Sequence, residues 1–178
     1  MDNKGNMGLI LGFFILVAVL LGLGFLIVIG SSIVNLVFDE IVPEIEGIGT
    51  VGSANITQAS EYSLTPLNTL VQSFTWIGGL VYIFGLIGLV GLSFAYRTTM
   101  NRWFIGIFVL FALLMIMASI FMSNIYEDFY DDSSDLGDRL KEHTMLSWLI
   151  LNSPLVFTVV IFISGIILFS GVGEEQFI

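Results

Sequence analysis

The stretch that decides the fold is GLILGFFILVAVLLGLGFLIVIG, from Gly8 to Gly30. It contains 23 residues, and none of them is Asp, Glu, Lys, Arg or His. An α-helix of ~20 apolar residues crosses the ~30 Å hydrocarbon core of a bilayer. Because backbone groups in lipid must be satisfied within their own segment, this run predicts a transmembrane helix.

Three further uncharged runs of similar length follow, so the sequence predicts four membrane-spanning helices. Trp and Tyr favour the head-group level and set the limits of these spans at about 8–30, 76–96, 103–126 and 148–170. The aromatic residues used are Trp76, Tyr96, Trp103, Tyr126 and Trp148. The expected fold is an all-α integral membrane four-helix bundle, a single domain over residues 1–178, with two helices extended beyond the bilayer.

The composition supports a membrane protein and excludes other classes. Of 178 residues, 56% are hydrophobic and 11% are charged, whereas soluble proteins carry about 25% charged residues. The mean hydropathy is +0.98. The chain has no cysteine, which excludes disulfides and thiolate metal sites. Its net charge of −10 excludes nucleic-acid binding through a basic patch.

The region of about 31–75 predicts a helical hairpin outside the membrane. Two apolar stripes at helical spacing predict that its arms pack together; they are Val34, Val37, Phe38 and Ile41, and Leu67, Leu70, Val71 and Phe74. Pro43 predicts the end or a kink of the first arm. Thr65 followed by Pro66 predicts the start of the second arm. The Gly- and Ser-rich stretch 47–63 between them predicts a loop.

The few cations predict the orientation in the membrane. Lys4, Arg97 and Arg102 flank one end of the spans, and positive residues favour the cytoplasmic side. Both termini are therefore expected in the interior, and the hairpin is expected on the opposite side. There, Asn55-Ile56-Thr57 matches a glycosylation sequon. The first span is too long for a cleaved signal peptide and is expected to be retained.

Glycines in the second span predict a helix-packing face. Gly78, Gly85, Gly88 and Gly91 recur at intervals of seven, three and three residues. Small residues let helix backbones approach closely in lipid. The alternative is that these glycines only reflect the higher frequency of glycine in membrane helices.

No pattern of catalytic or cofactor-binding residues occurs. The four predicted spans lack ionisable residues, which membrane enzymes and transporters use at bilayer depth. A single histidine, His143, cannot form a multi-histidine site, and no G-x-S-x-G motif is present. We therefore expect neither an enzyme nor a cofactor.

The acidic segment 127–143 predicts a loop with three alternative roles. It is a water-facing connection, a docking surface for a cationic partner, or a calcium site. The docking interpretation uses Asp128, Asp131, Asp132, Asp135 and Asp138. The calcium interpretation uses Asp131, Ser133, Asp135 and Glu142, at positions 1, 3, 5 and 12 of a calcium loop. Leu136 stands where that loop needs glycine, so the sequence favours the first two roles.

These patterns together predict a non-enzymatic structural or assembly subunit of a larger membrane-embedded complex. Its partners would be the lipid bilayer, other membrane subunits or copies of itself, and a cationic protein at the acidic segment. One alternative is a protein of the internal membrane of a virion, under a capsid lattice. The other is a small channel or transporter component.

Overall fold

A computed structural model describes residues 3–97 and 102–170. The predicted turn between the second and third spans falls largely on 98–101, and the end of the chain begins at 171; both lie outside the described residues. The helices are α1 (Asn3–Gly47), α2 (Ile56–Tyr96), α3 (Ile105–Tyr130), α4 (Asp135–Glu142), α5 (Thr144–Leu151) and α6 (Ser153–Phe169). Two short strands, β1 (Thr50–Val51) and β2 (Ala54–Asn55), and a 3-10 turn (Arg102–Phe104) complete the described elements.

The all-α membrane fold is confirmed. Helices α1, α2 and α3 are each long and apolar enough to cross a bilayer, and α5 with α6 adds a fourth crossing if the bent pair counts as one span. With 45 and 41 residues, α1 and α2 are ~67 and ~61 Å long at ~1.5 Å per residue. Both exceed the ~30 Å hydrocarbon core about twofold. They therefore extend well beyond the membrane.

A tight β-hairpin joins α1 to α2 at the far end of these extensions. Strand β1 pairs antiparallel with β2, and Gly49 and Gly52 adopt φ values of 68° and 66°, a region that glycine enters without steric cost. Asn55 caps α2 by accepting a hydrogen bond from the Gln58 amide at 3.1 Å. Thr57 donates to the Glu46 carbonyl at 3.1 Å and holds the two helix ends together.

The connection is therefore shorter than the predicted loop at 47–63. Helix α2 begins at Ile56 rather than at Pro66, because Asn55 supplies the cap. Pro66 lies inside α2, and Pro43 lies inside the last turns of α1. The expected start of the second arm at Pro66 was wrong, and α1 does not end at Pro43 but continues to Gly47.

The acidic segment 127–143 is mostly helical instead of a loop. Helix α3 continues to Tyr130, a turn follows, and α4 begins at Asp135. Leu140 is fully buried on the inner face of α4 and anchors this short helix to the rest of the chain. Gly137 allows α4 to pack closely against the preceding turn, because an added Cβ would collide with the Asp132 carbonyl.

The last span is broken at Asn152. Helices α5 and α6 meet there at a bend of 73°, where Asn152 Nδ2 donates to the Trp148 carbonyl at 2.9 Å. Pro154 occupies the first turn of α6, where its missing N–H costs nothing. Helix α6 alone is ~25 Å long, slightly shorter than the ~30 Å hydrocarbon core.

The core lies within the membrane-spanning part, between α1, α2, α3 and α6. Phe14 is its aromatic centre, with ring centroids 5.2 Å from Phe13, 5.0 Å from Phe108 and 5.6 Å from Phe111. The three Trp residues are exposed, as interfacial residues should be. Tyr126, predicted to belong to the interfacial belt, is fully buried instead.

Candidate assembly interface

The predicted glycine face divides into two pairs with different surroundings. A Cβ added at Gly78 would lie 2.9 Å from Ile27 Cγ2, and one at Gly85 would lie 2.5 Å from Leu20 Cδ1. These two glycines therefore let α2 approach α1 within the chain. A Cβ at Gly88 or Gly91 would meet no heavy atom within 4 Å. The second pair consequently leaves α2 open to a neighbour.

Two other glycines make close contacts that the sequence pattern did not single out. A Cβ at Gly24 of α1 would collide with the Tyr82 ring, and one at Gly79 would lie 2.7 Å from Met145 Sδ. The α1–α2 contact therefore has glycines on both helices: Gly24 of α1 packs against a large side chain of α2, and Gly78 and Gly85 of α2 pack against large side chains of α1. The adjacent pair Gly78-Gly79 is the only sequence signal that could have indicated contacts on two sides of α2.

Two apolar grooves run along the α1–α2 pair. The first, which we call the lower groove, has a volume of 340 Å³, with Leu20 and Leu23 of α1 and Gly85 and Gly88 of α2 among its lining residues. The second, the upper groove, has a volume of 260 Å³, and its lining includes Ile27, Gly30 and Val34 of α1 and Val71 and Phe74 of α2. Both are open to the surroundings of the protein.

The hairpin outside the membrane, residues 31–75, has an unusual distribution of polarity. Its buried residues are Ser31, Ser32, Asn35 and Ser60, all of them polar. Most of the apolar side chains expected to pair the two arms are instead exposed; they are Val34, Val37, Ile41, Leu67, Leu70 and Phe74. Val34, Val71 and Phe74 meet only as walls of the upper groove. We call the buried polar side chains of the hairpin its polar seam; most of the apolar side chains present their surface outward.

The polar seam contains atoms without partners among the described residues. They are Ser32 Oγ, Asn35 Oδ1, Ser60 Oγ and Asn68 Oδ1. The pairing of Glu46 with Thr57 and of Leu20 with Gly85 fixes the antiparallel register of α1 and α2. In that register Asn35 and Asn68 lie at the same level. The seam therefore contributes little stability of its own, since unsatisfied buried polar groups are costly.

The acidic segment lies against the base of this hairpin. Arg139 of α4 forms an ion pair with Asp39 of α1 and a second one with Glu142 at 3.0 Å, and Lys141 pairs with Asp138 at 3.1 Å. Both cations of this side are thus engaged by carboxylates. All five predicted docking residues, Asp128, Asp131, Asp132, Asp135 and Asp138, are exposed. Two of them, Asp135 and Asp138, line an acidic cleft of 470 Å³ against Asp39 and Glu40.

The four residues of the calcium interpretation are not gathered around one point. Asp131 and Ser133 lie in the turn, while Asp135 and Glu142 occupy opposite ends of α4. Seven residues of helix separate the last two by ~10 Å, and Glu142 is paired with Arg139. Within residues 3–97 and 102–170, no group of three or more His, Cys, Asp and Glu residues is arranged to hold a metal.

A buried polar cluster, which the sequence did not predict, fixes α4 and α5 to the rest of the protein. Ser31 donates its hydroxyl proton to the Ile27 carbonyl at 2.6 Å, so its oxygen accepts from His143 Nε2 at 3.1 Å. In the same way Ser147 donates to the Leu140 carbonyl at 2.7 Å and accepts from the Tyr126 hydroxyl at 2.7 Å. These bonds connect α1, α3 and the α4–α5 junction.

His143 is the central residue of this cluster and is fully buried. Its Nε2 carries the proton, which leaves Nδ1 as an acceptor without a partner among the described residues. Burial lowers the pKa of His143 below its ordinary value of 6.5, so the imidazole is neutral at neutral pH. The bonds of the cluster give His143 a positioning role. The only sequence signal was the occurrence of one histidine in a chain with few polar residues.

No protein-family model, curated protein or solved structure matches this chain. The functional assignment therefore depends on the surfaces described above.

Proposed function

We propose that the protein is a non-enzymatic structural or assembly subunit of a larger membrane-embedded complex. The observation that supports this most directly is the hairpin at 31–75, which buries polar residues and exposes apolar ones. Exposed apolar side chains in water favour contact with another protein. A subunit of this kind stabilises its outer surface by binding neighbours.

The distribution of charge supports the same proposal. Segments 31–75 and 127–143 hold twelve of the fifteen Asp and Glu residues and two of the five Lys and Arg residues. Their combined charge of −10 equals that of the whole chain. We call the side that carries these segments the hairpin side. A surface of one sign favours a partner of opposite charge.

In this proposal the protein is a multi-pass membrane protein with both termini in the interior. Arg97 and Arg102, at the opposite end of the spans from the hairpin, support this orientation through the preference of cations for the cytoplasmic side. The hairpin and α4 would then face away from the interior. A cellular complex and the internal membrane of a virion are both compatible with this arrangement, and the identity of co-purifying proteins distinguishes them.

Native mass spectrometry of the protein, extracted from its own membrane in mild detergent, tests the proposal. We expect a complex of fixed stoichiometry containing other chains. The Asp131→Lys/Asp132→Lys variant should lose a partner in a salt-sensitive manner, because it reverses two exposed charges of the docking surface. The Glu174→Lys/Glu175→Lys variant makes the same total change in charge elsewhere in the chain and should retain the complex.

Two results would contradict the proposal. The first is a protein that occurs in its native membrane without other chains. The second is ion flux by the purified protein alone in proteoliposomes, which would identify it as a channel component.

A further inference from the structure

The lower and upper grooves lie on one continuous face of α1. Nine residues of α1 line them, and six of these recur at alternating intervals of four and three; the six are Leu16, Leu20, Leu23, Ile27, Gly30 and Val34. This spacing places all six on the same side of a helix. On α2 the lining residues Val71 and Phe74 lead along the same face to Val81, Gly85, Gly88 and Leu92. The two grooves therefore lie in line on one face of the α1–α2 pair, on either side of the contact between Ile27 and Gly78. We call the two together the joint groove.

The length of this joint groove matches one crossing of the membrane. From Leu16 to Val34, α1 advances eighteen residues, or ~27 Å at ~1.5 Å per residue. The hydrocarbon core of a bilayer is ~30 Å thick. The joint groove therefore begins eight residues inside the first span and continues four residues beyond Gly30 into the hairpin, so a helix that lies along it leaves the membrane at its upper end.

The floor of the groove is open at glycines. No heavy atom lies within 4 Å of a Cβ built at Gly30 in the upper part or at Gly88 in the lower part. The walls are exposed apolar side chains, among them Val19, Leu26 and Val81. Because lipid tails are as apolar as these walls, helices associate in a membrane through close packing at small residues. A helix packed over Gly30 and Gly88 gains such contacts.

The charge at one end of the groove restricts the helix that can bind. The upper end opens beside the hairpin at 31–75, which carries five acidic residues and no Lys or Arg. A helix that leaves the membrane there with Lys or Arg gains electrostatic attraction, and one that carries Asp or Glu is repelled.

A second copy of the protein does not meet this requirement. On the hairpin side its α3 ends in Glu127 and Asp128, and its α1 continues through Asp39 and Glu40. Its α6 is joined there to the inclined α5, with a bend of 73°, and not to a straight extension. In a parallel copy, none of α1, α2 and α3 carries Lys or Arg on the hairpin side, so none of them supplies a basic flank at the acidic end of the groove.

We propose that the α1–α2 groove binds the transmembrane helix of a different subunit, which carries Lys or Arg where it leaves the membrane on the hairpin side. This inference rests on the proposed assembly function and specifies its partner. The apolar groove provides the packing contacts, and the hairpin selects the basic flank.

Energy transfer in liposomes tests the inference with the full-length protein. The chain has no cysteine, so Ser133→Cys in the exposed turn gives a single site for a donor dye. The probes are two synthetic Leu/Ala helices of about 20 residues, labelled with an acceptor dye and flanked at both ends by Lys or at both ends by Glu. In zwitterionic lipid we expect saturable transfer with the Lys-flanked helix and a half-saturating concentration about tenfold higher for the Glu-flanked one.

A matched pair of substitutions tests whether the groove is the binding site. Gly88→Leu should raise the half-saturating concentration about tenfold, because the new side chain fills the lower groove. Gly106→Leu on α3 is the control, since a Cβ there also meets nothing within 4 Å; this variant should bind normally. Normal unfolding of both variants in detergent shows that Gly88→Leu acts on binding and not on folding.

Three results would overturn the inference. They are equal binding of the two peptides, unchanged binding by Gly88→Leu, and transfer without saturation, which would indicate that lipid fills the groove. If any of these occurs while native mass spectrometry still shows a stable complex, the groove assignment is wrong and the assembly function stands. If the protein occurs in its native membrane without other chains, both the groove assignment and the assembly function are wrong.

Discussion

The membrane-spanning part and the hairpin outside it use the same two helices in opposite ways. Within the membrane, α1 buries large apolar residues such as Phe14 and Val17 against α3 and its other neighbours. Outside it, α1 buries Ser32 and Asn35 and exposes Val37 and Ile41. One helix thus changes its buried face from apolar to polar as it leaves the bilayer.

This difference shows where contributions to folding and to assembly are expected. The membrane-spanning part has a packed aromatic core and no Asp, Glu, Lys or Arg in its predicted spans. The hairpin buries polar side chains, some of them without partners among the described residues, and leaves most of its apolar side chains exposed. We therefore expect the aromatic core to contribute most to folding, and the exposed apolar surfaces, the α1–α2 groove included, to contribute to assembly.

The largest effect should come from removing one phenylalanine from each region. Phe14 is 2% exposed within the aromatic core, and Phe74 is 39% exposed on the hairpin. Phe14→Ala should lower the free energy of unfolding by about 3–5 kcal/mol, because it leaves a cavity in a packed core. Phe74→Ala should lower it by less than about 1 kcal/mol. Unfolding titrations in mixed detergent micelles measure both, and equal losses would show that the hairpin has a core of its own.

A smaller effect should appear when pH falls, at the boundary between the two regions. Burial lowers the pKa of His143 in the folded protein, while the unfolded chain titrates near 6.5. Below pH 6.5 the unfolded state therefore binds more protons, and the free energy of unfolding decreases until the pH reaches the lowered pKa. Above pH 6.5 this residue contributes no pH dependence.

The His143→Gln variant isolates this contribution. The wild type should lose up to about 1.4 kcal/mol per pH unit more than the variant as pH falls below 6.5. The acidic residues are the same in both proteins, so their titration cancels in the difference. Parallel pH profiles would show that His143 is accessible to protons in the fold and that the cluster does not require the neutral imidazole.

The smallest effect concerns the ion pair that holds α4 against the hairpin. Arg139 and Asp39 are 30% and 39% exposed, and pairs this accessible contribute less than about 1 kcal/mol. A double-mutant cycle with Arg139→Gln and Asp39→Asn should give a coupling of about 0.5 kcal/mol that decreases with added salt. A large coupling that is insensitive to salt would mean that the acidic cleft is closed to water.

The sequence predicted those features that depend on local composition. Uncharged runs of ~20 residues predict spans because charge in hydrocarbon is costly, and the all-α membrane fold is confirmed. The overlong first and second helices followed from the length of the apolar pattern. The starting point of α2 did not, because the cap at Asn55 outweighs the signal of Thr65 and Pro66. The position of α4 depends on the burial of Leu140, which only the folded chain shows.

Only the tertiary structure decided which face of each helix meets which neighbour. The four glycines of the predicted face of α2 look alike in the sequence, yet Gly78 and Gly85 contact α1 while Gly88 and Gly91 are open. The bond between His143 and Ser31 joins residues 112 positions apart. The physical reason is that lipid is as apolar as leucine, so hydrophobicity specifies that a helix spans the membrane but not which way it faces. Rotation and contact are set by the fit of side chains between helices, and that fit exists only when the helices are assembled.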